Sequence, residues 1–172
     1  MKRRADVALS QLRLEHAPRM FAWMCDSDVS ANIGLKREPS LGRTEEWIAR
    51  SLSDLSIRAF AILLRGEHVG NVVLDFIDAS VGSARLSIYV GEAAARGTGV
   101  GRAAVALAAE QAFGPLRLHK LWLTVHSRNG AAIKTYLDVG FTIEGVLRDE
   151  FVLDGRRLAA LRMGLLEGDL AL

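Results

Sequence analysis

Residues 86–105 read LSIYVGEAAARGTGVGRAAV, and the fold turns on them. Leu86 to Val90 is apolar with β-branched and aromatic side chains, Val100 to Phe113 is Ala-rich and stops at Gly114-Pro115, and Gly97, Gly99 and Gly101 cluster where the two meet. A strand therefore passes through a glycine turn into a helix. Positions without Cβ at such a junction let backbone N–H groups converge at a helix N-terminus, where the dipole and the unpaired donors favour an anion. Arg96 and Arg102 flank the turn and can add charge-assisted contacts to a phosphate. A Walker loop would need Gly-Lys-Ser/Thr where Gly101-Arg102-Ala103 stands, and the spacing G-x-G-x-G departs from the dinucleotide fingerprint G-x-G-x-x-G. Neither of those nucleotide folds fits.

Outward from this turn, strand-like runs at Ile57 to Leu64, His68 to Phe76 and Ser83 to Val90 form an antiparallel meander, separated by Arg65-Gly66-Glu67 and by residues 78–82. Downstream, Lys120 to Val125 reads as a strand, Asn129 to Val139 as a helix closed by Gly140, and Phe141 to Val152 with Arg157 to Leu165 as paired strands around Asp154-Gly155. Upstream, Val7 to Leu14 alternates as an opening strand, Ala17 to Met24 reads as a helix, and Thr44 caps a second helix that runs to Ser53. Asp26 to Arg43, with Gly34 and Pro39, reads as a loop. The resulting order, β-α-α-β-β-β-α-β-α-β-β, predicts an α/β (α+β) mixed sheet with helices on its faces.

The 172 residues suit one domain, drawn at residues 5–166 behind a basic tail at 1–4. Half the residues are hydrophobic, which excludes disorder. The single Cys25 and the scattered His16, His68, His119 and His126 give no disulfide framework and no metal-ligand spacing. No apolar run approaches the roughly 20 residues of a membrane span, no secretory pattern opens the chain, and a cytoplasmic protein is expected. Net charge is only +2, which argues against a nucleic-acid partner, but its distribution is uneven. Between Ile88 and Tyr136, Arg96, Arg102, Arg117, Lys120, Arg128 and Lys134 face only Glu92 and Glu110. The positive charge gathers in the stretch that holds the anion-binding turn.

Arg96-Gly97-Thr98-Gly99-Val100-Gly101 resembles the R-x-x-G-x-G acetyl-CoA signature of the GNAT superfamily of N-acetyltransferases. Asn129, Ala132, Tyr136 and Gly140-Phe141 are similar to that family's N-x-x-A-x-x-x-Y-x-x-x-G-F pattern. Glu144-Gly145 with Arg148-Asp149 resembles the branch of ribosomal-protein N-terminal and spermidine acetyltransferases. The resemblance implies a mostly antiparallel seven-stranded sheet with splayed strands 4 and 5 and about four flanking helices. It further implies acetyl-CoA (coenzyme A) as cofactor, held by Ile88, Tyr89, Val90, by Arg96 through Arg102 and by Asn129, Ala132 and Tyr136. Tyr136 would be the acid that protonates the leaving thiolate; a phenol near pKa 10 is still protonated at pH 7 and so has a proton to give. A backbone N–H of Tyr89 or Val90 would receive the developing oxyanion.

The general base is open. Family members carry a strand-four carboxylate where this chain has Arg85, which cannot accept a proton. Glu92, Asp26, Asp28 and a water held by Ser87 remain as candidates. Trp23, Met24, Trp47, Glu150 and Phe151 are candidate acceptor-site residues. The acceptor is expected to be a small-molecule amine, such as a polyamine or amino sugar, or a protein N-terminus. The loop's Lys36, Arg37 and Arg43 set beside its acids do not make the acidic pocket a polyamine would favour. A homodimer is compatible with the apolar Leu158 to Leu166. The competing function is a non-catalytic acyl-CoA-binding regulatory module, motivated by the missing carboxylate.

Overall fold

The computed structural model describes residues 6–33 and 37–171; the basic tail at 1–4 and residues 34–36 of the Asp26–Arg43 segment lie outside them. Seven strands form one sheet: β1 (Val7–Gln11), β2 (Arg58–Leu64), β3 (Glu67–Asp78), β4 (Ser83–Val90), β5 (Lys120–His126), β6 (Thr142–Leu153) and β7 (Arg156–Leu166). Their spatial order is β1-β2-β3-β4-β5-β7-β6. Every pairing is antiparallel except β4 with β5. Five helices accompany it: α1 (Ala17–Met24), α2 (Ser27–Asn32), α3 (Leu41–Ser53), α4 (Val100–Phe113) and α5 (Gly130–Val139).

Alternation along the strands sorts side chains onto two faces. On one face Leu86 of β4 and Leu121, Leu123 and Val125 of β5 are buried with Val100, Ala104, Val105, Ala108 and Ala112 of α4. The small alanines bring α4 close against β1, β3, β4 and β5, while α5 packs beside it. Each Leu so buried contributes on the order of 2 kcal/mol. On the other face a smaller core joins Met20 of α1 and Ile48 of α3 to Leu12, Ala59 and Ala61. That cover stops at the β1–β4 half. Over β5 and its neighbours the second face is open, with Ser87 and Thr124 exposed.

Several boundaries differ from the sequence reading. The opening strand ends at Gln11, and a 3-10 turn at Leu14–His16 replaces its tail. The Asp26–Arg43 loop contains a helix, α2, whose N-cap Asp26 accepts from the Asp28 backbone N–H at 2.9 Å and whose Val29 is buried. The second expected helix starts earlier, at Leu41, because Ser40 rather than Thr44 caps it; the Ser40 hydroxyl accepts from the Arg43 N–H. Among the described residues five helices therefore stand where about four were expected.

Candidate active site

β4 and β5 pair only through Ser83↔Lys120, Ala84↔Leu121 and Arg85↔Trp122. Beyond Arg85 the strands separate, so Leu86 to Val90 has no ladder partner on its β5 side, and backbone groups there, apart from the Val90 carbonyl that accepts from Arg96, are open to a ligand. This wedge opens toward the glycine loop at the start of α4.

Gly97 and Gly99 have φ of +69° and +89°, the left-handed region that Gly enters without strain. Gly99 is the N-cap of α4, and no side chain caps the helix. Among the described residues the first-turn N–H groups of Val100, Gly101 and Arg102 accordingly meet no backbone or side-chain acceptor. Three unpaired donors on a helix of 14 residues fit a pyrophosphate. Gly97 and Gly99 leave open space where a Cβ would stand, and the Thr98 hydroxyl donates to Ala95 O at 2.7 Å, tightening the turn. Val90 lies 3.9 Å from where a Cβ of Gly101 would be, so β4 and α4 meet at the loop.

Arg96 and Arg102 divide the work. Arg96 turns inward: its Nε donates to Val90 O at 3.0 Å, its Nη2 to Gly91 O at 2.8 Å, and Nη2 also lies 3.3 Å from Asp26 Oδ2. It braces the end of β4 and ties it to the α2 cap. Arg102 is exposed beside the free N–H groups and is the cation available to a phosphate. Gly91 permits another close approach, since a Cβ there would fall 2.0 Å from the Trp23 ring.

Tyr136 is buried on α5 with its ring 5.7 Å from that of Phe141, and burial pushes its phenol up to about 12. The hydroxyl is therefore protonated throughout the physiological range. Asn129 caps α5: its Oδ1 accepts from Ala132 N–H at 3.1 Å, and its Nδ2 donates to Asn32 Oδ1 at 3.3 Å. Tyr89 lies on the α1 side of the sheet, 6.2 Å from Trp23, with its hydroxyl buried and unpaired and its pKa raised by that burial. Ile88 and Val90 point instead toward the α4 core.

The candidate bases are not brought together. Asp26 is held by Arg96, and its pKa is lowered by the Asp28 N–H and by that guanidinium. Glu92 lies 3.5 Å from Arg19. Asp28 sits in the first turn of α2. Ser87 is exposed on the open face. Of the acceptor-site candidates, Trp23 is buried, Trp47 packs on the smaller core, Glu150 is exposed and Phe151 faces His126.

One group at the mouth of the wedge escaped the sequence reading. His126 ends β5 on the same face as Thr124, its Nε2 3.2 Å from Asn32 Oδ1 and its ring 4.9 Å from Phe151. An accepting Asn32 oxygen selects the Nε2–H tautomer, which leaves Nδ1, buried and unpaired, as the basic nitrogen. Burial, with Arg128 nearby, lowers its pKa below the ordinary 6.5. The available signal was the β5 alternation, which separates Trp122, Thr124 and His126 from Leu121, Leu123 and Val125.

A split sheet with a glycine anion loop at the split defines an acyl-CoA-binding fold. The chain belongs to the acetyltransferase (GNAT) domain family, whose pattern it matches over residues 6–142. Spermidine N(1)-acetyltransferase of Escherichia coli (strain K12) is 34% identical over 114 residues, 66% of this chain and 61% of that protein. The match thus spans less than two thirds of that relative's length. Among solved structures, spermidine N-acetyltransferase from Vibrio cholerae in complex with CoA and spermine superposes with a TM-score of 0.89 at 24% identity, covering 96% of this chain and 98% of that one. A dodecameric structure of spermidine N-acetyltransferase from Vibrio cholerae gives 0.83 at 26%, covering 95% of each. Among the described residues no helix is long and apolar enough to cross a membrane, and no three His, Cys, Asp or Glu side chains gather as a metal site.

Proposed function

We propose that this protein is an acetyl-CoA-dependent N-acetyltransferase acting on a primary amine by direct attack in a ternary complex. The observation that carries the reading is the wedge between β4 and β5, with the uncapped α4 N-terminus at its opening. The N–H groups of Val100, Gly101 and Arg102, with the Arg102 side chain, would hold the pyrophosphate, and the free β4 edge from Ile88 to Val90 would pair with the pantetheine amides. When bound, acetyl-CoA supplies an acyl group activated as a thioester.

The chain's own groups then have distinct tasks. A backbone N–H of Tyr89 or Val90 meets the negative charge that develops on the acyl oxygen; such a donor is worth on the order of 100-fold in rate. Tyr136, protonated because burial raises its pKa, is the acid for the leaving sulfur. An amine of pKa near 10 is about one part in a thousand neutral at pH 7, so it must lose a proton before attack. His126, kept neutral at pH 7 by the burial that lowers its pKa and, among the described residues, in no ion pair, is the proton acceptor in this reading, in preference to the ion-paired Asp26 and Glu92.

Spermidine, the acceptor in the relatives' names, heads the panel of amines to assay, followed by amino sugars and short peptides. The test is release of free thiol from acetyl-CoA with each. Thiol release that depends on an amine and falls sharply in Tyr136→Phe supports the enzyme. Tight acetyl-CoA binding without thiol release for any amine would leave the binding-module reading. A homodimer, and larger assembly like the dodecamer of the relative, are read out by the mass of the protein in solution.

A further inference from the structure

On the open face of the sheet, at the vertex of the wedge, four side chains from β3, β4, β5 and β7 form a continuous cationic and aromatic ladder. Arg85 is bidentate to Asp75, Nε to Oδ1 at 2.8 Å and Nη2 to Oδ2 at 2.6 Å, and its guanidinium lies 4.6 Å from the Phe76 ring and 6.0 Å from that of Trp122. The Arg162 guanidinium stacks on the same indole at 3.5 Å. Arg162 pairs in register with Thr124, next to the Arg85↔Trp122 pair at which β4 and β5 part.

Two facts separate Arg162 from an ordinary surface arginine. It is half-buried and flat on Trp122, which fixes the fork and lowers the entropy lost on binding. It also has no carboxylate: among the described residues the neighbouring acids are committed elsewhere, Asp75 to Arg85 and Glu144 to Lys120. A cleft beside the ladder, lined by Trp47, Arg50, Val73, Asp75, Phe76 and Arg85, adds a further cation and one further aromatic ring, with Asp75 already held by Arg85. The cofactor's phosphates do not account for this charge, since α4 and its free N–H groups lie on the opposite face. Arg85 and Tyr89 point to the same side of β4 four residues apart, about 13 Å along the strand, Arg85 at the open region and Tyr89 under α1. An acceptor reaching the wedge with its amine would thus lay its far end on the ladder.

We propose that this ladder is the acceptor-specificity subsite, and that the preferred acceptor is a primary amine carrying an anionic oxyacid group, carboxylate or phosphate, roughly 10 Å from the nitrogen. Arg162 is its principal ligand, presenting N–H donors in the plane set by Trp122, with the free Nη1 of Arg85 and the exposed Ser87 and Thr124 hydroxyls alongside. The same unpaired cation repels the second charge of a polycation. This inference rests on the acetyltransferase reading for its acceptor, but the subsite binds by charge and stacking whether or not the acetyl group moves.

The experiment uses matched six-carbon amines: 6-aminohexyl phosphate, 6-aminohexanoate, hexylamine and 1,6-diaminohexane. In turnover, kcat/KM for at least one anionic amine exceeds that for hexylamine by roughly tenfold or more, as a charge-assisted hydrogen bond provides. In Arg162→Gln that ratio falls toward one. The phosphate and carboxylate arms distinguish the two oxyacid sources. Independently of turnover, NMR titration with 6-aminohexyl phosphate shifts the Arg162 Nε–H and Trp122 indole N–H signals, whereas 1,6-diaminohexane leaves them in place. If no amine is acetylated but those signals shift with the anionic amine, the enzyme reading fails and the subsite stands. Preference for 1,6-diaminohexane over both anionic amines, or no shift with either anion, overturns the subsite.

Discussion

Arg96 and Asp26 join two parts of the site that lie 70 positions apart in the chain: their side chains are 3.3 Å apart, linking the cap of α2 to the loop that feeds α4. The same guanidinium holds the carbonyls of Val90 and Gly91. The glycine loop, the β4 terminus and α2 are therefore braced by one side chain. Arg96→Gln is expected to weaken acetyl-CoA and acceptor binding together, whereas Arg102→Gln weakens only acetyl-CoA; isothermal titration and acceptor KM separate the two. Because Asp26 has a pKa below the usual carboxylate value, its folded-state contribution is complete above about pH 4 and disappears as pH falls through the lowered value. Asp26→Asn therefore differs from wild type in acceptor KM at pH 7 and converges with it in acid stability scans below pH 4.

Tyr136→Phe removes one proton donor and keeps the ring that packs near Phe141. The expected loss in kcat is on the order of 100-fold to 10,000-fold, the range of a general acid, with acetyl-CoA affinity changed by no more than the roughly tenfold of one hydrogen bond. Since burial raises this phenol to about 12, Tyr136 contributes no alkaline limb to the rate profile below about pH 11. Stopped-flow thiol detection at saturating cofactor checks both statements.

His126 gives the opposite limb. A base must be deprotonated to act, and its pKa lies below 6.5, so kcat is expected to rise with pH through a midpoint below 6.5 and then level. His126→Gln removes that limb and lowers the plateau. Asn32→Ala, which frees Nε2 and the tautomer choice, is expected to move the midpoint rather than abolish activity.

His68 is expected to contribute to the loss of stability in acid. It is buried between His16 and Trp23 rings at 4.6 and 4.8 Å, and desolvation, with a smaller contribution from His16, lowers its pKa to about 4. The unfolded chain takes up this proton near pH 6.5, so between about pH 6.5 and 4 the unfolded state binds more protons and stability falls as pH falls. The full effect is about 3 kcal/mol at most. His68→Phe is expected to flatten that slope in urea titrations at pH 7, 6 and 5.

Legibility in the sequence followed local punctuation. α4 begins where Gly97 and Gly99 force a left-handed turn and ends at Gly114-Pro115; its bounds, like those of α1 and β4, were readable from residues a few positions apart. α2 was not, because six polar-rich residues carry no helical period and rely on the Asp26 cap and the burial of Val29. The order β5-β7-β6 is set by long-range pairing and has no local signature. The site divides along the same line. The anion loop, Asn129 and Tyr136 lie in contiguous motifs, whereas Asn32 and His126 are 94 residues apart and meet only once the sheet is built. Arg96 was legible as a cation but not as a brace, since its partners Val90 O and Gly91 O are backbone groups.

If the wedge between β4 and β5 presents an acetyl thioester to an amine, the acetyl carbonyl passes from thioester to amide. Acetyl-CoA labelled with carbon-13 at the carbonyl, incubated with the protein and the amine panel, reports this directly by NMR. The expected result is loss of the thioester carbonyl signal with matched growth of an amide carbonyl on the amine, dependent on amine and absent with Tyr136→Phe. A thioester signal that persists with every amine while the cofactor is bound, or a label that moves onto the protein instead, would mean that the wedge does not carry out direct acetyl transfer to an amine.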